Sequence, residues 1–244
     1  ECGIFGTNTA LGLDGNSDYV ELPSGFKSGF NTAAGSASLW INLVENDGGT
    51  SQTVFRIQAD SDNFFQFFYH KHYTEWRTAI KTDGTVQTAT YDVPGSSNND
   101  GSGYDDGWQH FVATFSITDG ACALKLYRNG SIIQTTTASG QEDWIGSIDY
   151  AVIGSTQGTS GFVDGYIDQV AFYNGVLSPD NVTAIYNSGV PIDLTTFHTD
   201  YSVGARSLYA YYQFEGNALD SSSNRFHATL RGTASVNNKV QPDD

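Results

Sequence analysis

The chain contains no methionine, two cysteines and only 11 lysines and arginines among 244 residues. Each shortage excludes something. Against those 11 cations stand 27 acidic residues, for a formal charge of −16. A field that negative repels phosphates, so neither a nucleic-acid backbone nor an anionic membrane surface is an expected partner. No apolar run approaches the roughly 18 residues that a helix needs to cross a bilayer, and membrane insertion is not expected. Charged residues make up 16% of the chain, below the usual quarter or so, while aromatics reach 14%. Disorder does not fit that balance. Two cysteines make no disulfide framework: Cys2 and Cys122 read either as one bridge, worth roughly 5 kcal/mol by loop entropy, or as two separate thiols. A chain that opens Glu1-Cys2-Gly3 without a methionine reads as a processed or excised piece of something larger.

What is present is mostly strand. Tyr19–Leu22, Ala37–Leu43, Phe111–Phe115, Leu124–Tyr127, Ile132–Gln134, Ala151–Ile153 and Ile167–Phe172 are β-branched or aromatic runs bounded by Gly, Asn, Asp and Ser. Leu124 and Leu126 alternate with Lys125, the period of a half-buried strand. Asn129-Gly130 supplies the positive φ of a two-residue hairpin turn. One helix is predicted near 178–188, with Ser178 as N-cap, Pro179 at its first position, Asp180 toward the dipole and Gly189 at its close. Many short strands with one short helix predict an antiparallel sandwich in a single domain spanning 1–244. Residues 96–107 are expected to form a polar loop, and 191–204 to link the helix to a last segment.

The order of segments then resembles a known family. Leu13-Asp14-Gly15-Asn16-Ser17-Asp18-Tyr19-Val20-Glu21-Leu22 is similar to the opening strands of laminin-G-like jelly rolls. Ser38-Leu39-Trp40-Ile41 resembles their second strand, Gly107-Trp108-Gln109-His110-Phe111-Val112-Ala113 their Trp-x-His strand, and Leu126-Tyr127-Arg128-Asn129-Gly130 their hairpin. Asp164–Asn174 followed by Leu177-Ser178-Pro179-Asp180 resembles their closing strand and helix. The resemblance spans roughly residues 11–189 and implies an all-β, two-sheet, concanavalin A-like jelly-roll sandwich, shared by laminin G domains, pentraxins, lectins and some glucanases. Fold alone does not fix function. The tail, Leu208–Gly216 and onward to Leu230, resembles the segment that usually precedes the opening strand. Either 208–236 completes this same sandwich, beside Leu11 and Leu13, or it begins a next copy; the first is expected, because it covers apolar surface.

Candidate chemistry follows from that frame. Glucanase relatives use a Glu-x-Asp-x-x-Glu pair on one strand face, and no such spacing occurs, so no enzyme is expected. Pentraxin-like relatives bind calcium through an Asp-Asn pair and a later acidic loop. Asp62-Asn63 matches the pair, and the loop after Gly154 offers only Gln157 as an amide oxygen. A second calcium set on the rim comprises Asp14, Asp18, Asp164 and Asp168, each also explained by turn chemistry. His70-Lys71-His72 would place two imidazoles on one side of a strand. Sugars stack on exposed rings, which makes Trp76, Trp144, Tyr73, Tyr91 and Tyr104 the glycan candidates, whereas Trp40, Trp108, Phe111 and Phe115 read as core. The expectation is a recognition or adhesion module outside a cell or on a virion surface, of the kind appended to phage structural and bacterial surface proteins. Its partner would be a glycan or surface polysaccharide, with calcium as cofactor. The alternative is a decoration or fibre subunit whose partners are virion or surface-layer proteins.

Overall fold

A computed structural model describes residues 9–44, 51–93, 107–141, 144, 146–196, 201 and 207–238. Two antiparallel sheets pack face to face, as the alternating strands require. One sheet holds β1 (Ala10–Asp14), β3 (Ala34–Leu43), β8 (Gln109–Thr118), β9 (Ala121–Arg128), β10 (Ser131–Ser139), β12 (Asp164–Tyr173), β13 (Leu208–Tyr212) and β15 (Ser235–Asn238). The other holds β2 (Tyr19–Glu21), β4 (Gln52–Asp60), β5 (Asn63–His70), β6 (Glu75–Thr82), β7 (Thr85–Asp92), β11 (Tyr150–Ile153) and β14 (Thr229–Arg231). Period-2 alternation sends Phe55, Ile57, Phe65, Phe67, Trp76 and Ile80 inward against Leu39, Ile41, Phe111, Phe115, Leu124 and Leu126. The fold is a concanavalin A-like jelly roll.

The strands of the seven-stranded sheet run in the order β14-β2-β11-β4-β5-β6-β7. Those of the other run β10-β9-β8-β3-β12-β1-β15, with β13 also paired to β12. The register shows how β12 is shared. Its first half pairs with β1, Leu11 facing Ile167 and Leu13 facing Gly165, and its second half pairs with β13, Tyr212 facing Val170 and Leu208 facing Tyr173. β13 and β1 therefore lie end to end in one line, the end of the tail strand leading into the start of the N-terminal one. Thr9 Oγ1 donates to Phe214 O at 2.8 Å and accepts from Gly216 N at 2.8 Å, closing the joint.

The predicted helix is α2 (Pro179–Tyr186). Ser178 Oγ accepts from Asn181 N at 3.1 Å, and Asn181 Oδ1 accepts in return from Ser178 N at 3.4 Å, a capping box. The helix ends at Asn187, in the left-handed region with φ 45°, rather than at Gly189. Its face of Val182 and Ile185 packs on Val112, Tyr127, Ala171, Tyr173 and Tyr211, the outer side of the eight-stranded sheet. A second short helix, α1 (Ser24–Gly29), was not expected. It forms because Phe26, fully buried, anchors that segment among Phe30, Phe172 and Tyr209. The His70-Lys71-His72 reading is also corrected. β5 ends at His70, and Lys71–Tyr73 make a 3-10 turn, so the two rings do not share a strand face.

Candidate functional site

Most of the aromatic candidates are spent inside the fold. Trp76 is 2% exposed, stacked on Phe67 at 5.3 Å and against Phe111 at 4.6 Å. Its neighbours Glu75 and Arg77 point the other way, because alternation along β6 sends Trp76 to the core. Trp144 is 8% exposed and also joins the core. Neither ring is open for a sugar. Tyr91 packs against the core, and its hydroxyl accepts from Arg128 Nη1 at 2.8 Å. Tyr104 lies outside the described residues. Tyr73 alone of the described candidates is exposed, at 44%, between His70 and His72 and 5.2 Å from the Arg77 guanidinium.

The two calcium sets come apart as well. Asp62 and Asn63 follow the Asp60 end of β4, where Asp62 Oδ1 pairs with Lys81 Nζ at 2.8 Å and Asn63 Oδ1 accepts from Asp83 N at 3.2 Å. Gln157 sits in a loop that leaves β11 at Ile153, opposite Phe55, and that closes on Thr53 through Gly161 at 2.8 Å. Phe55 is five residues from Asp60, roughly 16 Å along the strand. The pair and the loop belong to opposite ends of the sheet.

Three of the rim acids share one cleft. Asp14, Asp18 and Asp164 line a cleft of about 250 Å³ with Thr233 and Ser235. Asp168 is not among them: it is fully buried four residues further along β12, accepting from Gln169 N at 2.9 Å. The cleft's oxygens are largely committed. Asp14 Oδ1 takes Asn16 N at 2.9 Å and Ser17 N at 3.1 Å, and Asp18 Oδ1 takes Thr233 N at 2.5 Å. Burial works to raise the Asp14 pKa, but those backbone donors outweigh it and hold the group below the ordinary value. Burial, then the Asp14 charge, push Asp164 up. Calcium takes six to eight oxygens, and no group of three or more His, Cys, Asp or Glu able to hold a metal gathers among the described residues. The donors present do not fit that ion.

Cys122 is a free thiol, fully buried in the core, and burial raises its pKa to about 11. Cys2 lies outside the described residues.

The remaining chemistry sits on the outer face of the seven-stranded sheet, on side chains that the sequence reading passed over. Register aligns them in rows. Tyr150 faces Gln58, which faces Phe64; Val152 faces Arg56, which faces Gln66; Phe68 faces Arg77. Tyr150 is 45% exposed. The Arg56 guanidinium donates through Nε to Gln58 Oε1 and through Nη1 to Gln66 Oε1, and it lies 3.9 Å above the Phe64 ring. A shallow cavity of about 70 Å³ beside this row is lined by Tyr150, Val152, Glu21 and Gln157. The available signal was a lone cation in the otherwise uncharged run Thr53-Val54-Phe55-Arg56-Ile57-Gln58.

A larger cavity, about 680 Å³, lies elsewhere, between the β9–β10 turn at Asn129-Gly130 and α2. Its Tyr186 ring is already stacked on Trp40 and His110, at 5.9 Å each, and no cation among the described residues lines it. We place the candidate site on the sheet face, where an exposed ring lies in the row next to a guanidinium held by two amides.

Comparison with known proteins agrees with the architecture. A family model described as the concanavalin A-like lectin/glucanases superfamily, Laminin_G_3, matches residues 14–183. No curated sequence matches the chain. Among solved structures, a Bacteroides ovatus protein assigned a carbohydrate-binding role superposes with a TM-score of 0.58 at 14% identity, covering 97% of this chain and 63% of that one. The heptameric SAP-like pentraxin of Limulus polyphemus has a TM-score of 0.53 at 12% identity over 73% of this chain and 82% of its own. The CBM40 of Ruminococcus gnavus IT-sialidase, bound to α2,3 sialyllactose, has a TM-score of 0.51 at 17% identity over 76% of this chain and 96% of its own.

Proposed function

The chain belongs to the concanavalin A-like lectin/glucanases superfamily, and from that membership we propose that it is a non-catalytic carbohydrate-binding module. Its binding surface is the outer face of the seven-stranded sheet. One observation carries this reading: Tyr150 presents an exposed ring opposite Gln58 in the register, one row from the linked Arg56 and Gln66. Sugars need both parts, an aromatic plane for their C–H face and fixed polar groups for their hydroxyls. Among the described helices, α2 packs on the outer side of the other sheet. The likeness to the carbohydrate-binding folds, including one seen with sialyllactose, supports the class.

Hydrolysis is the weaker reading. A glycosidase sets two carboxyls on either side of the scissile bond. Here Glu21, Asp62 and Glu75, three of the carboxylates around the face, are each held in an ion pair, by Arg231, Lys81 and Arg77. The acidic, amide-rich composition suits a module working outside a cell or on a virion surface. The test is an oligosaccharide array probed with the native chain and with Tyr150→Ala. Binding by the first, lost at least tenfold in the second with an unchanged melting curve, is expected. No binding to any saccharide, with self-assembly or capture by a surface-layer protein instead, overturns it in favour of the structural subunit.

A further inference from the structure

The cations of the candidate face differ in one respect. Arg77, Lys81 and Arg231 each meet a carboxylate, on Glu75, Asp62 and Glu21, and Lys27, at the cavity beside Tyr150, donates to the exposed Asp149 carbonyl. Arg56, in the middle row, has no carboxylate among the described residues: its partners are two neutral amide oxygens and a ring. In a chain with 27 acids and 11 bases, a guanidinium left without a counterion at the centre of a sheet is conspicuous on charge alone. Burial lowers its pKa to about 10, and no carboxylate acts to restore it. A half-buried positive charge held this way gains more from an anion than an exposed one does, because less water screens the pair.

The geometry is also that of a receptor. Of the five N–H donors on a guanidinium, the two glutamine oxygens take one each, on Nε and Nη1. The Nη2 pair and the second Nη1 hydrogen remain. Those point a planar fork, whose side-to-side motion is fixed by Gln58 and Gln66 and whose plane is supported by Phe64. A fork fixed in advance matches the two oxygens of a carboxylate and loses little entropy on binding it. Tyr150, one row away through Gln58, supplies the apolar plane for the ring that carries the carboxylate.

We propose that Arg56 receives the carboxylate of an acidic sugar, so that the ligand of this face is a carboxylated saccharide rather than a neutral one. This rests on the carbohydrate-binding reading above. The overall negative charge opposes such a ligand at long range, and the local site overcomes it at contact; added salt therefore weakens the short-range pair only modestly and relieves the long-range repulsion.

Calorimetric titration of the full chain tests it with two matched pairs: sialyllactose against lactose, and tri-galacturonate against its methyl ester. At least one acid is expected to bind tenfold or more tightly than its neutral counterpart. Arg56→Gln is expected to abolish that preference, and Arg56→Lys to keep part of it through charge while losing the two-point contact. Circular dichroism melts establish that each variant folds; if Arg56→Gln does not, the Lys variant and the ester comparison decide. Equal affinity for acid and neutral partner, or a preference that survives in Arg56→Gln, overturns the inference. Neutral saccharides binding alone overturns it and leaves the carbohydrate-binding reading standing. No binding to any probe removes both.

Discussion

Among the residues, a ring's burial separates structure from recognition. Trp76 and Tyr150 are both aromatic groups on strands of the same sheet, yet they face opposite sides. Truncating Trp76 to Ala opens a cavity between Phe67 and Phe111, and the expected loss is about 3–5 kcal/mol in urea unfolding. Tyr150→Ala removes an exposed ring and is expected to leave stability within about 0.5 kcal/mol. His110 makes the second prediction at this scale. Its Nε2 meets Ser38 Oγ at 2.9 Å, and complete burial lowers its pKa to about 3. In the unfolded chain a histidine titrates near 6.5, so between those values the unfolded state binds the extra proton. The contribution is whole above pH 6.5 and is lost as pH falls through that window, by up to roughly 5 kcal/mol. Stability measured from pH 7 to 4.5 should therefore fall with acid, and His110→Phe should flatten that slope whatever it does to the absolute value. An unchanged slope would show that other groups carry the acid sensitivity.

Elements are set by turn and cap chemistry that local sequence states outright. Asn129 and Gly130 both take positive φ, 48° and 78°, the pattern of the two-residue turn joining β9 to β10. A side chain at Gly130 would meet Tyr186 Cδ1 at 2.8 Å, so the turn is pressed against α2 as well as strained. Gly130→Ala is expected to cost about 1–3 kcal/mol in chemical denaturation, from the left-handed backbone and the displaced ring together. Ser178→Ala, which removes a cap from a helix of eight residues, should cost about 1 kcal/mol. These were legible because each depends on residues close in the chain. The end of α2 was less so. Two residues there, Asn187 and Gly189, tolerate positive φ, and which one closed the helix depended on its packing over the sheet.

For the whole molecule, the last segment joins the first. β13 pairs with β12, β14 with β2 and β15 with β1. Asp220 ties this region together, accepting from Tyr211 N at 2.8 Å, Ser222 N at 2.8 Å and Phe226 N at 2.7 Å. Asp220→Ala strands three backbone donors, and a loss of about 3 kcal/mol or more is expected in thermal or urea unfolding. A chain ending at residue 206 would remove Tyr209, Ala210, Tyr212 and Phe214 from the core and leave half of β12 without its partner. It should show no cooperative melt; a sharp transition near that of the full chain would mean the tail is dispensable.

Composition, period-2 alternation, the Asn-Gly turn and the order of segments by themselves determined a two-sheet sandwich with a capped helix after its closing strand. Those signals are local or sequential, and the backbone's demand for paired hydrogen bonds does the rest. Tertiary structure alone decided the site. Alternation says that neighbours on a strand face opposite ways, but not which way is in: Glu75-Trp76-Arg77 hid its tryptophan in the core and displayed its charges. Arg56, Gln66 and Tyr150 come from three strands, and only sheet register sets them side by side. The shortage of cations noted at the outset acquires its meaning there, since a missing counterion is a fact about neighbours in space rather than in sequence.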